Sequence, residues 1–199
     1  MRALTWFLLA IFLGLCGKVF GADPALRFRA TLQREAQAVY GLNAPVAMFA
    51  GQIRQESGWR PDVTAWDNGR GLAQFMDATA DQVARQFPEL GAPNPYDPRW
   101  AIRALVRYDG WIFGRVKGDA ECDHWGATLK GYNAGPGYVQ QAQKKSEQPG
   151  KWFGVTEFVP TRQNPKNFEY SRLYPHWIIF KHQPLYASWG ETICLEVNP

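Results

Sequence analysis

The sequence predicts a mainly α domain with a small irregular or β insertion. Apolar residues recur at three- and four-residue spacing in several separate stretches, the period of a helix buried along one face. Between two of these stretches, Trp59 to Met76 breaks the rhythm with Pro61 and Asn68-Gly69-Arg70-Gly71, leaving room only for a short hairpin or loop. No internal repeat or low-complexity linker divides the remainder, so a single domain is expected over 23–199.

The elements follow in order. A first helix is predicted from about Ala25 to Tyr40, with Phe28, Leu32, Ala36 and Val39 on one face and Gly41 ending it. The second starts at Pro45, which suits a first helical position, and carries Val46, Phe49 and Ile53 until Gly58 stops it. Thr79-x-x-Gln82 reads as a capping box that opens a short helix ending before Pro88. Asp97-Pro98 begins the next, with Ala101, Leu105, Tyr108 and Ile112 along its buried stripe. Asp119 is expected to cap a helix bearing Cys122, Trp125, Leu129 and Tyr132, which ends at Asn133-Ala134-Gly135-Pro136-Gly137. Gly150 to Phe168 reads as an aromatic loop, and a last helix covers part of Ser171 to Lys181.

Composition narrows the class. A chain of 199 residues with 46% hydrophobic and 20% charged residues is neither a disordered tail, a collagen-like repeat nor a multi-span membrane protein. The net charge of +4 comes from scattered basic residues, which excludes a nucleic-acid stripe. Residues 1–22 resemble an export signal: Arg2, then the apolar run Leu4 to Leu15, then small residues Gly17, Gly21 and Ala22. The expected location is therefore the periplasm or the exterior, with a membrane anchor as the alternative if the leader is retained. Leu13-Gly14-Leu15-Cys16 resembles a lipoprotein box, but Leu15 is bulky where a small residue is usual. Export removes Cys16 and leaves Cys122 and Cys194, an even pair that points to a disulfide, two buried free thiols being the alternative. His124 lies near Cys122, yet no second closely spaced ligand pair exists, so neither a metal nor a cofactor is expected.

The informative anomaly is Glu56. At about 100° per residue it falls on the face of Phe49 and Ile53, so an apolar stripe ends in a carboxyl group. A carboxylate without a partner is expensive to bury, and the negative end of a helix disfavours it further; such a group retains its proton. That is how a general acid for glycoside cleavage is prepared. A frayed last turn with Glu56 in water is the bland alternative. Ser57, Trp59, Arg60, Asn68, Arg70 and Gln74 follow, a mixture of donors and aromatic surface of the kind that binds sugars. Each also has a structural reading: Trp59 and Trp66 as core, Arg60 and Arg70 as solvated charges, Gly69 and Gly71 as turn formers.

These residues resemble a known family. Ile53-Arg54-Gln55-Glu56-Ser57-Gly58-Trp59-Arg60-Pro61, then Gly69-Arg70-Gly71-Leu72-Ala73-Gln74-Phe75-Met76, then Gly131-Tyr132-Asn133-Ala134-Gly135-Pro136-Gly137, are similar to the ordered motifs of the soluble lytic transglycosylase domain, a goose-lysozyme-like member of the lysozyme superfamily. Ser171-Arg172-Leu173-Tyr174 resembles its late motif more weakly. The likeness spans roughly Ala25 to Phe180. It implies a lysozyme-like bundle of helices around a substrate cleft, with Glu56 as the catalytic carboxyl. Gln74 would lie on the β-side of the groove, Tyr132 and Asn133 would position substrate, and Ser57 would orient Glu56 or substrate. Tyr174 matches the late cleft tyrosine, with Tyr170 competing for the role. Ala73 and Asp77 depart from the pattern, where Met and Pro are frequent.

The resemblance implies cleavage of the β-1,4 bond between N-acetylmuramic acid and N-acetylglucosamine in peptidoglycan. Glu56 would protonate the glycosidic oxygen and then, as a base, take the proton of the C6 hydroxyl, giving 1,6-anhydro ends without water. A true lysozyme would instead need a second carboxylate across the cleft, for which Asp67 is the candidate; an ordinary Asp-Asn-Gly turn is its plainer role. A catalytically weak wall-binding protein is the remaining alternative. The expected partner is peptidoglycan, met by a monomer in wall turnover, a conjugation or secretion machine, or phage lysis.

Overall fold

The helix that ends in Glu56 is the most enclosed part of the molecule. In the computed structural model, which describes residues 23–194, the elements are α1 (Arg29–Tyr40), α2 (Val46–Ser57), α3 (Asp77–Gln86), α4 (Pro98–Phe113), α5 (Glu121–Ala134), α6 (Pro136–Lys145) and α7 (Pro165–His176). A π-helical stretch, Trp177–His182, and a 3-10 stretch, Gln183–Trp189, follow α7. The fold is mainly α. The β insertion reduces to two isolated bridges, Thr64 to Arg70 and Arg70 to Phe75. The expected leader, with Cys16, lies outside the described residues.

α2 is buried without interruption from Val46 to Ile53, so it is a central helix rather than a one-faced one. The C-terminal stretches account for the difference, because they wrap the side that the sequence left for solvent. Gly51 permits this: a Cβ there would stand 2.9 Å from the backbone nitrogen of Gln183. Phe49 meets the rings of Tyr40 and Trp125, joining α2 to α1 and α5.

Several boundaries differ from expectation. Pro45 precedes the first turn of α2 and is not its first residue. α3 opens at Asp77, so Thr79 lies inside its first turn and caps nothing; Asp77 instead meets the positive helix end and pairs with Arg70 at 2.6 Å. Asp97 does cap α4, accepting the Trp100 N–H at 2.7 Å. α5 begins at Glu121 with no side-chain cap, and the Asp119 N–H goes to the Gly150 carbonyl instead. Gly135-Pro136 both ends α5 and starts α6, a helix the sequence reading did not anticipate, because proline is at ease in a first turn. The last α-helix starts at Pro165, earlier than expected, behind an Asn164 side chain that accepts the Lys166 N–H.

Cys122 and Cys194 form the expected disulfide, which ties the end of the described chain to α5. Among the described residues no helix is long and apolar enough to cross a membrane. Gly51→Ala is expected to destabilise the fold by about 1–3 kcal/mol through overpacking against Gln183, measured by urea unfolding.

Candidate active site

Glu56 occupies the last turn of α2 and remains partly exposed. The chain leaves that helix abruptly. Gly58 adopts φ 59° and donates to the Arg54 carbonyl, and Trp59 follows at φ 67°, a conformation unfavourable for a bulky side chain. Trp59 is held there by complete burial among Phe28, Tyr186 and Trp189, with its indole N–H donating to the Tyr186 hydroxyl at 2.7 Å. Trp59 is therefore core and cannot stack on a sugar. Trp66 is the reverse: 96% exposed in the loop that follows.

That loop is pinned from within. Gly71, at φ 68°, lies so close to the Pro95 carbonyl that no side chain would fit. Gln74, itself at φ 51°, donates its side-chain amide to the Gly71 carbonyl at 2.7 Å, so its N–H groups shape the loop. Arg60 donates to the Ser57 carbonyl and Arg70 pairs with Asp77; both guanidiniums have protein partners. The Ser57 hydroxyl is buried and turns back to the Ile53 carbonyl at 3.4 Å rather than towards Glu56.

Two tyrosines close on Glu56 from other helices. Tyr174 of α7, 1% exposed, donates its hydroxyl hydrogen bond directly to the Glu56 carboxyl. Tyr132 of α5 donates to the Ala73 carbonyl at 2.6 Å, with its ring against Phe75 and Tyr108, and so joins α5 to the loop. Asn133, next in sequence, is exposed at the end of α5. Tyr170 lies one turn before Tyr174, 52% exposed, with its ring edge-on to Trp177. Of the two competing tyrosines, it is Tyr174 that touches the carboxyl.

The electrostatics are those of a site that keeps its proton. Burial raises Glu56 from its ordinary 4.5 to about 8; the Tyr174 hydrogen bond pulls it partly back, and the negative charge of Asp67 pushes it up again. Tyr174 and Tyr132 are pushed well above the usual phenol range, by burial first and then by the Glu56 charge. Asp67 is exposed, and its carboxylate accepts the Gly69 N–H at 3.2 Å, as a turn residue does.

A second acid lies beneath. Asp109 of α4 is fully buried, and burial drives its carboxyl far above the usual range; the Gln52 amide works against that and the Glu56 charge adds to it. The sequence reading missed both Asp109 and Gln52. The signal was present, since Asp109 follows Leu105 by one helical turn and so lies near an apolar stripe, as Glu56 does. Among the described residues, no cluster of three His, Cys, Asp or Glu side chains could hold a metal ion.

A mainly helical fold thus sets one partly buried carboxyl at the end of a central helix, bonded by a tyrosine from a later helix, and comparison with known proteins gives the class to which such a domain belongs. The transglycosylase SLT domain family matches residues 32–153, more than half of the chain, and the chain belongs to that family. Membrane-bound lytic murein transglycosylase F of Marinobacter nauticus is 32% identical over 111 residues, 53% of this chain and 21% of that protein. Membrane-bound lytic murein transglycosylase F 1 of Alkalilimnicola ehrlichii is 30% identical over 145 residues, 70% of this chain and 27% of that protein. The chain thus spans about a quarter of these relatives' length. Among solved structures, the 70 kDa soluble lytic transglycosylase of Escherichia coli aligns with TM-score 0.58 at 22% identity, covering 81% of this chain and 24% of that one. An inactive mutant of lytic transglycosylase Slt from Pseudomonas aeruginosa aligns with TM-score 0.59 at 22% identity, covering 87% and 27%. The two structures show a shared fold.

In the unfolded chain Glu56 releases its proton near 4.5, whereas in the folded protein it holds it to about 8. Between those values the folded state binds an extra proton, so this group's contribution to stability falls as pH rises and levels off above about 8. Glu56→Gln lacks that slope. The variant is expected to gain on the wild type across this range, by on the order of 2–4 kcal/mol at pH 8, measured by urea unfolding at several pH values. Tyr174→Phe is expected to raise the Glu56 titration midpoint further, as followed by carbon NMR of labelled carboxyls.

Proposed function

We propose that residues 23–199 form a catalytic domain that cleaves the β-1,4 bond between N-acetylmuramic acid and N-acetylglucosamine in peptidoglycan, leaving 1,6-anhydro ends. The observation that carries this reading is Glu56: a carboxyl at the surface-reaching end of a buried helix, protonated to about pH 8 and held by the Tyr174 hydroxyl. A neutral acid in that setting is ready to protonate a leaving glycosidic oxygen. The names of the relatives, murein transglycosylases, support the same substrate.

Glu56 gives its proton to the glycosidic oxygen as the bond breaks to an oxocarbenium-like state, which the sugar's own 2-acetamido oxygen stabilises. The Glu56 carboxylate, still bonded by Tyr174, then takes the proton of the C6 hydroxyl, which attacks the anomeric carbon. One carboxyl performs both transfers, and the proton it lost is regained. Asn133, exposed at the end of α5, is suited to contact the sugar amide, and Tyr132 holds that end of α5 to the loop. Residues 1–22 would direct the domain to the periplasm or the exterior, where its glycan lies.

Digestion of purified peptidoglycan with the leaderless protein, followed by mass spectrometry of the products, tests this. Products one water lighter than hydrolytic ones are expected, and Glu56→Gln is expected to lower their formation by about 1,000-fold or more. Reducing ends lost with Asp67→Asn would establish a hydrolase, and no cleavage by the wild type would point to a binding protein or to a missing activator. Trp66→Ala is expected to raise KM several-fold with little change in kcat, as the loss of a stacking surface remote from the reacting bond would do.

A further inference from the structure

Lys130 lies on α5, two residues before Tyr132, and is 2% exposed. Among the described residues, no carboxylate pairs with it. Its ammonium donates to three neutral acceptors: the Ser171 hydroxyl, the Gln163 side-chain carbonyl at 3.1 Å and the Phe168 backbone carbonyl at 3.5 Å. The Phe168 ring covers it, 4.8 Å from the nitrogen. The charged groups that face it, Arg172 and Glu169, both stand on α7 and are bonded to each other. Burial lowers the Lys130 ammonium to about 8; the Arg172 charge adds to this and Glu169 opposes it.

A lysine beside a serine hydroxyl has the composition of a nucleophilic pair, but Ser171 is 1% exposed and no substrate reaches it. As packing, the lysine is wasteful. A buried ammonium without a counter-charge lowers stability, and an apolar side chain of similar length would fill the same space. What the lysine adds is direction. All of its acceptors belong to α7 or to the turn leading into it, and the Ser171 hydroxyl is further anchored to the Asn167 carbonyl at 2.7 Å. Ser171 and Tyr174 are three residues apart, on one face of the helix. The group that grips Ser171 therefore fixes where the Tyr174 hydroxyl falls.

We propose that Lys130 is a positioning residue, setting α7 against α5 so that Tyr174 meets the Glu56 carboxyl. The proposal deepens the reading given under Proposed function and rests on it for catalysis, but its geometric content can be read without turnover. Lys130→Met keeps the length and removes the directed bonds. Its melting temperature is expected to equal or exceed that of the wild type, with kcat on peptidoglycan lower by about 10–100-fold and KM within about twofold. The Glu56 titration midpoint is expected to rise in Lys130→Met, in the direction given by Tyr174→Phe, because both loosen the hydrogen bond that lowers it. Ser171→Ala, which retains the ammonium and two of its acceptors, is expected to show the same changes to a smaller degree.

An unchanged Glu56 midpoint in Lys130→Met overturns the proposal, as does unchanged kcat. A fall in melting temperature or a failure to fold also overturns it, since Lys130 would then be structural support. Should the wild type leave peptidoglycan intact, the functional reading fails, and the Glu56 titration still decides whether Lys130 positions Tyr174.

Discussion

The hydrogen bond from Tyr174 to Glu56 joins the two halves of the molecule that matter most to its chemistry. One partner ends the central helix; the other sits on a helix more than a hundred residues later. Burial alone would fix the Glu56 proton more firmly, and the bond offsets part of that effect. The two effects oppose each other in setting how firmly the carboxyl holds its proton, which suits the acid-and-base role proposed for it. Much of the surrounding structure serves to hold these two side chains in place.

That support comes from several directions. Gly58 and the buried Trp59 end α2 sharply, keeping the Glu56 turn at the surface while the rest of α2 is enclosed. Gly51 lets the C-terminal stretches press on α2, and the disulfide fastens the chain beyond them to α5. Tyr132 joins α5 to the loop after α2, and Lys130 joins α5 to α7. α5 is thus the frame to which both the loop and the late tyrosine are referred.

Glu56 was legible because a carboxyl at helical spacing from Phe49 and Ile53 is conspicuous in an apolar stripe. Asp109 carries a fainter version of that signal, because it lies beside the stripe of α4 while Tyr108 and Ile112 complete the stripe without it. Lys130 was not legible: a long aliphatic stem near an apolar face is normally read as reaching out to solvent. Trp59 and Trp66 were equal in the sequence, and only packing separated a wholly buried indole from a wholly exposed one. Capping residues misled twice, at Thr79 and Asp119, because a nearby Arg70 or a facing loop fixed the helix start more strongly than local chemistry did.

By itself, then, the chain determined what depends on neighbours in sequence. It determined the helical periods, the stops at Gly41 and Gly58, the cap at Asp97, and a carboxyl on an apolar face. For Cys122 and Cys194 the sequence left a disulfide and two buried thiols both open, and the fold decided for the disulfide. Tertiary structure decided what depends on distant partners: that α2 is enclosed on all sides, that Tyr174 rather than Tyr170 meets Glu56, and that Gln74 and Ser57 turn their polar groups inward. The physical reason is range. Dihedral preferences and helical spacing act within a turn or two, whereas desolvation and hydrogen-bond geometry depend on whatever the rest of the chain brings near.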